Sequence, residues 1–351
     1  MRALRWHEAG DLRLDDVPEP AAVGSTAVVE VSYCGVCGTD LHEYVHGPTM
    51  IRSGPHPLTG QAPPITLGHE ISGRIVALDE PTAELRPGVR VAIDPCLRCG
   101  TCYWCRRGEY HICANGGSIG LASNGGFASR VAVPVECLNP VPDGVSDQYA
   151  AMAEPLAVGL HAAKRALVGP GDSVLILGAG PIGLATLLSA RASGAAAIFV
   201  SEPNPERRAV AERSGATEVY DPAVADVRRE VFLRTSRRGP DAVIDGTGKA
   251  DPILLGIKTL RRGGRMAVAG IADTDVPLDM RQLVFYERTL SGSLGYNFDI
   301  PRVLDLMAAG QLDPAPLLSD IRPLTDGQLT FDELASPATR HLKILLTPKE
   351  L

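Results

Sequence analysis

The pattern of hydrophobic residues divides the chain into two regions with different predicted secondary structure. Before about residue 154, short apolar runs at 27–31, 73–77 and 89–93 are separated by segments rich in Gly and Pro. Short apolar runs between turn residues are typical of strands joined by tight connections. The first part of the chain is therefore predicted to be a β-rich domain.

From residue 155 onward, continuous apolar strands alternate with helical stretches rich in Ala and Leu. The predicted strands are 174–177, 197–200, 242–244 and 266–269, and the predicted helices include 156–167 and 183–193. This alternation is typical of βαβ units around a parallel sheet buried on both faces. After residue 291 the regular alternation ends, and the sequence predicts a helix at 302–309 and a final strand at 342–346.

Length and charge narrow the class of protein. A chain of 351 residues with 45% hydrophobic and 21% charged residues predicts a folded protein of about two domains. A net charge of −7 provides no overall positive field for a phosphate backbone or an anionic membrane, so neither is expected as a partner. We find no apolar run long enough to span a membrane and no signal-peptide pattern at the start, which predicts a cytoplasmic protein.

A glycine motif lies between the first predicted strand and helix of the second region. Residues 178–183 read GAGPIG, the context in which this spacing predicts a dinucleotide site. Gly178 permits the tight turn, Gly180 lets the backbone approach a pyrophosphate, and Gly183 allows the helix to pack closely on the strand. The alternative is a glycine turn with no ligand.

An acidic residue follows the next predicted strand. Glu202 lies nineteen residues after Gly183, near the offset at which an acid binds the adenosine ribose. Its charge favours NAD over NADP, although Arg207 and Arg208 could reduce the repulsion of a 2′-phosphate. Arg207 is either a contact to the adenine face or an ordinary surface arginine.

Five of the eight cysteines fall within residues 96–113. Cys99, Cys102, Cys105 and Cys113 lie in one short loop and provide enough thiolates for a closed zinc shell, which is typical of a structural site. Cys96 has the same spacing and could shift the ligand set. Disulfides or free buried thiols are the alternatives in a reducing compartment.

A second set of candidate ligands is dispersed along the sequence. It consists of Cys37, the pair His69 and Glu70, and Glu154. Each alone is weak evidence, since a lone His is more often a satisfied polar group and Glu154 could be an acid at a helix start. Together, one thiolate, one imidazole and a carboxylate could hold zinc with a position left for substrate, as in catalytic sites.

Three segments resemble the zinc-dependent medium-chain dehydrogenases, and the likeness extends over essentially the whole chain. They are GVCGTDLHEY at 35–44, PHPLTG at 55–60 and TLGHEISG at 66–73. Within that superfamily they are most similar to the 2,3-butanediol dehydrogenase (acetoin reductase) branch, with sorbitol and threonine dehydrogenases as near relatives.

The resemblance implies an α/β fold made of a GroES-like β-rich catalytic domain and a Rossmann domain with a doubly wound parallel sheet. The expected parts are residues 1–154 with a structural zinc lobe at about 95–114, the Rossmann domain at 155–291, and a return to the catalytic domain at 292–351. The active site is expected in the cleft. Homodimers or homotetramers are the family's usual assemblies.

The resemblance also implies two zinc ions and an NAD site. Catalytic zinc would be held by Cys37, His69 and a glutamate, either Glu70 or Glu154. The family pattern assigns structural zinc to Cys99, Cys102, Cys105 and Cys113 and leaves Cys96 out. Further residues are expected to line the cofactor by family position: Ile182, Arg207, Gly270, Ile271, Ser293 and Leu294. His46 and Asp245 depart from residues that are usual in relatives.

These assignments predict reversible NAD-linked oxidation of a small vicinal diol or secondary alcohol, with 2,3-butanediol and acetoin as the leading pair. Zinc would act as a Lewis acid on the alcohol. Thr39 is expected to take the hydroxyl proton and pass it through the cofactor ribose to His42 and solvent. His42 could instead be an ordinary surface histidine.

Two other functions remain open from the sequence. One is a polyol, threonine or biosynthetic cyclitol dehydrogenase on the same scaffold, because substrate choice depends on pocket side chains. The other is a zinc-stabilised nucleotide-binding module without turnover, against which the joint presence of Cys37, Thr39, His42, His69 and Glu154 argues.

Overall fold

The computed structural model describes residues 1–272, 274–336 and 339–349. It contains two compact units. The first consists of Met1–Glu154 and Leu318–Leu351, and the second of Pro155–Leu317. Among the described residues, no helix combines the length and apolar character needed to cross a bilayer.

The strands are β1 Arg2–Glu8, β2 Asp11–Asp16, β3 Thr26–Gly35, β4 Ile65–Thr66, β5 Glu70–Leu78, β6 Arg90–Ile93, β7 Cys96–Leu97, β8 Gly117–Ser118, β9 Arg130–Pro134, β10 Leu138–Pro140, β11 Ser173–Leu177, β12 Ala197–Ser201, β13 Glu218–Tyr220, β14 Ala242–Asp245, β15 Arg265–Val268, β16 Thr289–Gly292, β17 Leu318–Pro323 and β18 Lys343–Thr347. The α-helices are α1 Gly38–His46, α2 Tyr103–Arg106, α3 Asp147–Ala151, α4 Ala153–Arg165, α5 Pro181–Ala192, α6 Pro205–Arg213, α7 Val227–Arg234, α8 Ala250–Thr259, α9 Arg281–Val284, α10 Asp299–Ala308 and α11 Gly327–Ala335. Short 3₁₀ helices occur at Tyr110–Ile112, Val135–Cys137, Ala315–Leu317 and Leu324–Asp326.

The first unit is built on a mixed sheet with the order β10-β6-β5-β3-β18-β17, to which β9 is added beside β3. A small sheet of order β2-β1-β4 and the pair β7-β8 complete its strands among the described residues. Its core packs apolar side chains from many strands, including the fully buried Phe127, Ile71 and Phe331. The predicted β-rich domain is confirmed.

Strand β18 returns from the end of the chain into this sheet. It runs antiparallel to β3, with Leu345 opposite Gly35, and parallel to β17. Because β3 leads into α1 and pairs with the start of β5, this register brings Lys343 close to the two segments that carry the dispersed ligands.

The second unit contains a six-stranded parallel sheet of order β13-β12-β11-β14-β15-β16. Helices follow the strands, as the alternating pattern predicts, and the order reverses beside β11 as in doubly wound folds. Buried Phe199, Val243 and Met266 belong to its core. The predicted parallel sheet is confirmed.

The expected return to the first domain at residue 292 lies at residue 318 in the structure. Residues 292–317 remain with the second unit because α10 is anchored there. Asp299, at the start of α10, is buried and accepts hydrogen bonds from Lys164 Nζ at 2.7 Å and from His161 Nδ1 at 3.1 Å, both on α4.

Candidate active site and metal centres

Cys37 lies at the turn between β3 and α1, where it caps the helix. Its backbone N–H donates to Asp40 Oδ2 at 3.0 Å, so the carboxylate of Asp40 folds back over the first turn. An acid in the first turn also interacts favourably with the helix dipole. The capping arrangement fixes the Cys37 thiol at the start of the helix.

His69 and Glu70 bring two more candidate ligands to Cys37. One ligand atom from each of the three residues lies within 4.8 Å of the others, and His69 and Glu70 are buried. Glu70 begins β5 opposite Gly35 of β3. A Cβ at residue 35 would overlap Glu70 Oε2, so glycine is required there to admit the carboxylate.

One oxygen of the Glu70 carboxylate is bound by a cation, and the other has no hydrogen-bond partner among the described residues. Buried Lys343 donates from Nζ to Glu70 Oε1 at 2.5 Å and to the Val36 carbonyl at 2.9 Å. Glu70 Oε2 is buried without a hydrogen-bond partner among the described residues. An unpartnered buried carboxylate oxygen is costly unless it meets a cation or a donor.

His69 lies beside the same acid that caps α1. Its Nδ1 lies 3.4 Å from Asp40 Oδ1, and Asp40 is fully buried. Burial acts to lower the pKa of His69, but the negative charges of Asp40 and Cys37 raise it well above its ordinary value. A carboxylate behind a histidine is the usual partner of a zinc-bound imidazole.

This donor set fits zinc. A thiol, an imidazole and a carboxylate with an unpartnered oxygen provide three ligands, which leaves a fourth position for substrate. Glu154, in the first turn of α4, is outside this group of three, although its charge acts on Lys343. The geometry therefore favours Glu70 as the carboxylate ligand.

The two residues expected to move protons lie on α1. Thr39 is half-buried, and its Oγ1 is 3.7 Å from Cys37 Sγ. His42 is exposed, its Nδ1 lies 3.2 Å from Thr49 Oγ1, and its ring is 5.3 Å from that of His46. Buried Glu43 accepts hydrogen bonds from the backbone and hydroxyl of Thr49 and so orders the segment beside His42.

The four cysteines of the lobe converge as the spacing predicts. One sulfur from each of Cys99, Cys102, Cys105 and Cys113 lies within 4.8 Å of the others, and Cys96 is not in the group. Cys113 Sγ is 3.5 Å from Cys99 Sγ and 3.8 Å from Cys102 Sγ. Four thiolates about 2.3 Å from a tetrahedral zinc would be roughly 3.8 Å apart, so this group fits the ion.

Local hydrogen bonds prepare the lobe for metal. Bonds from the Thr101 hydroxyl and from the backbone N–H groups of residues 101 and 102 lower the pKa of Cys99 to about 5. Burial and the neighbouring sulfurs raise the pKa of Cys105 to about 12. All eight cysteines are free thiols. Metal is the natural partner of such crowded sulfurs.

The glycine loop in the second unit follows β11 and leads into α5. Gly178 has φ +89°, where L side chains are strained, and a Cβ at Gly183 would overlap the Gly178 carbonyl. At Gly180, by contrast, the nearest atom to such a Cβ is Arg207 Nη1 at 3.8 Å. The protein itself does not fill the space over Gly180, which fits close approach of a pyrophosphate to the N-terminus of α5.

Glu202 and Arg207 lie beside this loop. Glu202 is buried after β12, and its carboxylate accepts from Ala179 N at 2.6 Å and from Asn204 N at 2.8 Å. Arg208 Nη1 lies 3.1 Å from Asp221 Oδ2 and also donates to the backbone carbonyls of Glu202 and Pro203, at 2.9 Å and 2.6 Å. Arg207 Nη1 is the nearest side-chain atom to the space over Gly180, so Arg207 is the arginine beside the glycine loop.

The remaining residues expected to line the cofactor follow strands of the same sheet. Gly270 and Ile271 come after β15, where Gly270 packs against Gly248, and Ser293 and Leu294 come after β16. Ile182 lies in the first turn of α5. Ser293 Oγ is buried without a partner among the described residues. Carboxyl ends of parallel strands share one edge of a sheet, where nucleotides bind in folds of this class.

The sequence motifs do not single out Gly35, Asp40, Glu43 and Lys343 as part of this site. Asp40 could have been found from its place in the first turn after Cys37, where an acid caps the helix. Lys343 could not, because it is 273 residues from Glu70.

Comparisons with known proteins agree with this geometry. Residues 24–143 match the alcohol dehydrogenase GroES-like domain, and residues 181–309 match the zinc-binding dehydrogenase family. The chain is 34% identical over 321 residues to the (R,R)-butanediol dehydrogenase of Bacillus subtilis strain 168, covering 91% of each chain.

Solved structures agree in fold. The crystal structure of 2R,3R-butanediol dehydrogenase from Bacillus subtilis superposes with a TM-score of 0.93 at 34% identity, covering 99% of both chains. A zinc-binding dehydrogenase structure from Sinorhizobium meliloti 1021, bound to NADP, has a TM-score of 0.87 at 30% identity with the same coverage. The chain belongs to the zinc-dependent medium-chain dehydrogenases, near the butanediol dehydrogenase branch, and is an oxidoreductase of the alcohol dehydrogenase type.

Proposed function

We propose that the enzyme interconverts a small vicinal diol or secondary alcohol and its hydroxyketone, with 2,3-butanediol and acetoin as the leading pair. The observation that carries the proposal is the meeting of Cys37, His69 and Glu70 in a group that can hold zinc and accept a substrate oxygen. The similarity to a butanediol dehydrogenase supports the choice of substrate.

Two zinc ions per chain are part of the proposal. Cys37, His69 and Glu70 would hold one, and the four cysteines of the lobe would hold the other. The first set has three ligands and suits catalysis, whereas the second is a closed sulfur shell and suits a structural role. Glu154 would not bind the first ion directly.

Zinc in the first set would supply a Lewis acid, and NAD would supply the hydride acceptor. Around them, the protein positions and moves the proton. Thr39, whose Oγ1 lies 3.7 Å from Cys37 Sγ, would take the hydroxyl proton, and exposed His42 would release it to solvent. Asp40 and Lys343 keep the imidazole and the carboxylate in place.

Glu202 supports NAD as the preferred cofactor. Its buried carboxylate would repel a 2′-phosphate, and the charge of the neighbouring Arg208 is already paired with Asp221. Arg207 remains close to Gly180 and is available to a pyrophosphate or an adenine face. The proposal therefore places NAD ahead of NADP.

The proposal also includes the compartment and the assembly. Eight free thiols suit a reducing environment, so we expect the protein in the cytoplasm. By family habit we expect a homodimer or a homotetramer, which sedimentation of the purified protein would measure.

A substrate panel read by NADH absorbance tests the function. The purified enzyme is offered stereoisomers of 2,3-butanediol, sorbitol and threonine, each with NAD and with NADP. We expect the highest kcat/KM for a butanediol isomer with NAD. Preference for sorbitol or threonine would overturn the substrate assignment.

Metal content separates an enzyme from a nucleotide-binding module. Two zinc ions per chain, measured on the protein used for the panel, agree with an open catalytic site and a closed structural site. One zinc ion per chain with no turnover of any alcohol would overturn the proposal in favour of a binding module.

A further inference from the structure

A basic cavity of about 640 Å³ lies within the second unit, apart from the glycine loop. Its walls come from residues that precede β14, β15 and β16, and from α7 and α8. These residues stand at the amino ends of the parallel strands. The glycine loop follows the carboxyl end of β11, so the cavity and the dinucleotide site occupy opposite edges of one sheet.

Seven cationic side chains line the cavity, and Asp241 is its single carboxylate among the described residues. Arg228, Arg237 and Arg238 come from α7 and the loop after it. Lys258, Arg261, Arg262 and Arg288 come from α8 and the segments that lead into β15 and β16. This concentration of positive charge contrasts with the net charge of −7 of the whole chain.

Little of this charge is compensated by the protein. In the part of the chain that the structure describes, Arg261 is the one cation of the seven with a carboxylate in salt-bridge distance, Asp241 at 2.7 Å. The Asp241 carboxylate is further occupied by the backbone and hydroxyl of Ser173. Arg288 donates from its guanidinium to Gln282 and to two backbone carbonyls, whereas the side chains of the other five cations donate to no acceptor among the described residues.

Two of the arginines, Arg262 and Arg288, lie against the ring of Tyr286. The guanidinium groups of Arg262 and Arg288 lie 5.1 Å and 4.5 Å from the centre of the Tyr286 ring. Arg288 is fixed by the backbone carbonyls of Leu260 and Arg261. Burial lowers the pKa of Arg288, and the positive charges of Arg228 and Arg262 lower it further. An anion would relieve this repulsion.

We propose that this cavity is a second ligand site, which binds a small anion carrying two or more phosphoryl groups. Arginine forks match phosphoryl oxygens in geometry, and several of them converge here. The volume suits a small molecule. A long nucleic acid would extend from the cavity onto a protein surface of net negative charge, which disfavours it.

The test is calorimetric titration of 2,3-bisphosphoglycerate into the enzyme saturated with NADH. Bound NADH occupies the glycine loop, and the probe has no ketone for NADH to reduce, so the measurement is independent of turnover. We expect one site per chain, binding that weakens as salt is raised, and binding of inorganic phosphate at least about tenfold weaker.

Charge-reversal variants locate the site. Arg228→Glu and Arg238→Glu are expected to raise the Kd at least about tenfold. The control is Arg229→Glu, because Arg229 is also exposed on α7 but does not line the cavity, and it should change the Kd less than about threefold. Circular dichroism checks that each variant is folded.

Two results would overturn the inference. One is the absence of saturable binding of the probe to the parent enzyme. If Arg228→Glu then also changes the sedimenting species, the cavity is an interface between copies of the chain. The other is an equal loss of affinity in Arg229→Glu, which would show that general charge and not the cavity binds the probe.

Discussion

At the scale of single residues, the candidate metal site contains a buried ion pair between Glu70 and Lys343. Both side chains are almost completely removed from solvent. Two buried charges are tolerated because they neutralise each other at 2.5 Å and because Lys343 also meets a backbone carbonyl. Removing one of them would leave the other without compensation.

Lys343→Met is therefore expected to destabilise the metal-free protein by about 3–5 kcal/mol, measured as the free energy of urea unfolding after chelation. Zinc would partly replace the lost charge beside Glu70, so the loss should be smaller in the zinc-loaded protein. Lys343→Arg is the control and should retain most of the stability. An equal loss with and without zinc would contradict the assignment of Glu70 as a ligand.

Thr39 provides the residue-scale test of proton transfer. Thr39→Ala removes the hydroxyl beside Cys37 and should lower kcat by about 10²–10⁴, the usual contribution of general acid–base catalysis. Zinc content should remain unchanged, because Thr39 is not in the ligand group. Thr39→Ser is the matched control and should restore most of the turnover. Full activity of the alanine variant across pH would refute the proton role.

At the scale of elements, the proposed zinc ion would be the main support of helix α2 in the cysteine lobe. Helix α2 has four residues, none of them buried, and Tyr103 on that helix is exposed. A helix with so little buried apolar surface would gain its order from cross-linking by the proposed ion. Loss of one ligand should therefore be felt throughout the lobe.

Cys102→Ser is expected to lower the zinc content from two ions per chain to one and to make the lobe sensitive to protease. Cys96→Ser is the matched control, since Cys96 lies nearby in sequence but outside the group of four sulfurs, and it should keep both ions. Atomic absorption and limited proteolysis measure these outcomes. Loss of zinc in the Cys96 variant would mean that the ligand set is shifted.

Helix α10 is tied to the second unit by one buried acid. Burial acts to raise the pKa of Asp299, but hydrogen bonds from His161 and Lys164 lower it below its ordinary value. A carboxylate with a lowered pKa contributes stability above its unfolded-state pKa, near 4, and loses it as pH falls through the folded-state pKa.

Asp299→Asn should cost about 2 kcal/mol at pH 7, and the gap to the parent protein should close progressively below about pH 4. Urea unfolding at a series of pH values measures the gap. Asp305→Asn is the control, because Asp305 is exposed on the same helix. A gap of constant size down to pH 3 would contradict the ionic anchor.

At the scale of the whole molecule, local patterns predicted most of the fold, and long-range pairing accounts for what they missed. The glycine loop and the cysteine cluster each lie within one short segment, so their spacing predicted them, and the family resemblance left Cys96 out of the ligand set. The partner of Glu70 depends on β18 pairing with β3 at Leu345 and Gly35, a register that no local motif encodes. The domain end at residue 317 likewise depends on Asp299 meeting α4.

The distribution of ligands between the two units yields a prediction for the whole chain. Both candidate zinc groups lie in the first unit, the glycine loop lies in the second, and each unit has its own apolar core. Removing metal with EDTA should accelerate amide exchange about 100-fold or more at residues 96–118 while β11 and β14 stay protected. Adding NADH should slow exchange at residues 178–183. Uniform acceleration of both units after chelation would contradict this division, because it would require the metal to stabilise the nucleotide-binding core as well.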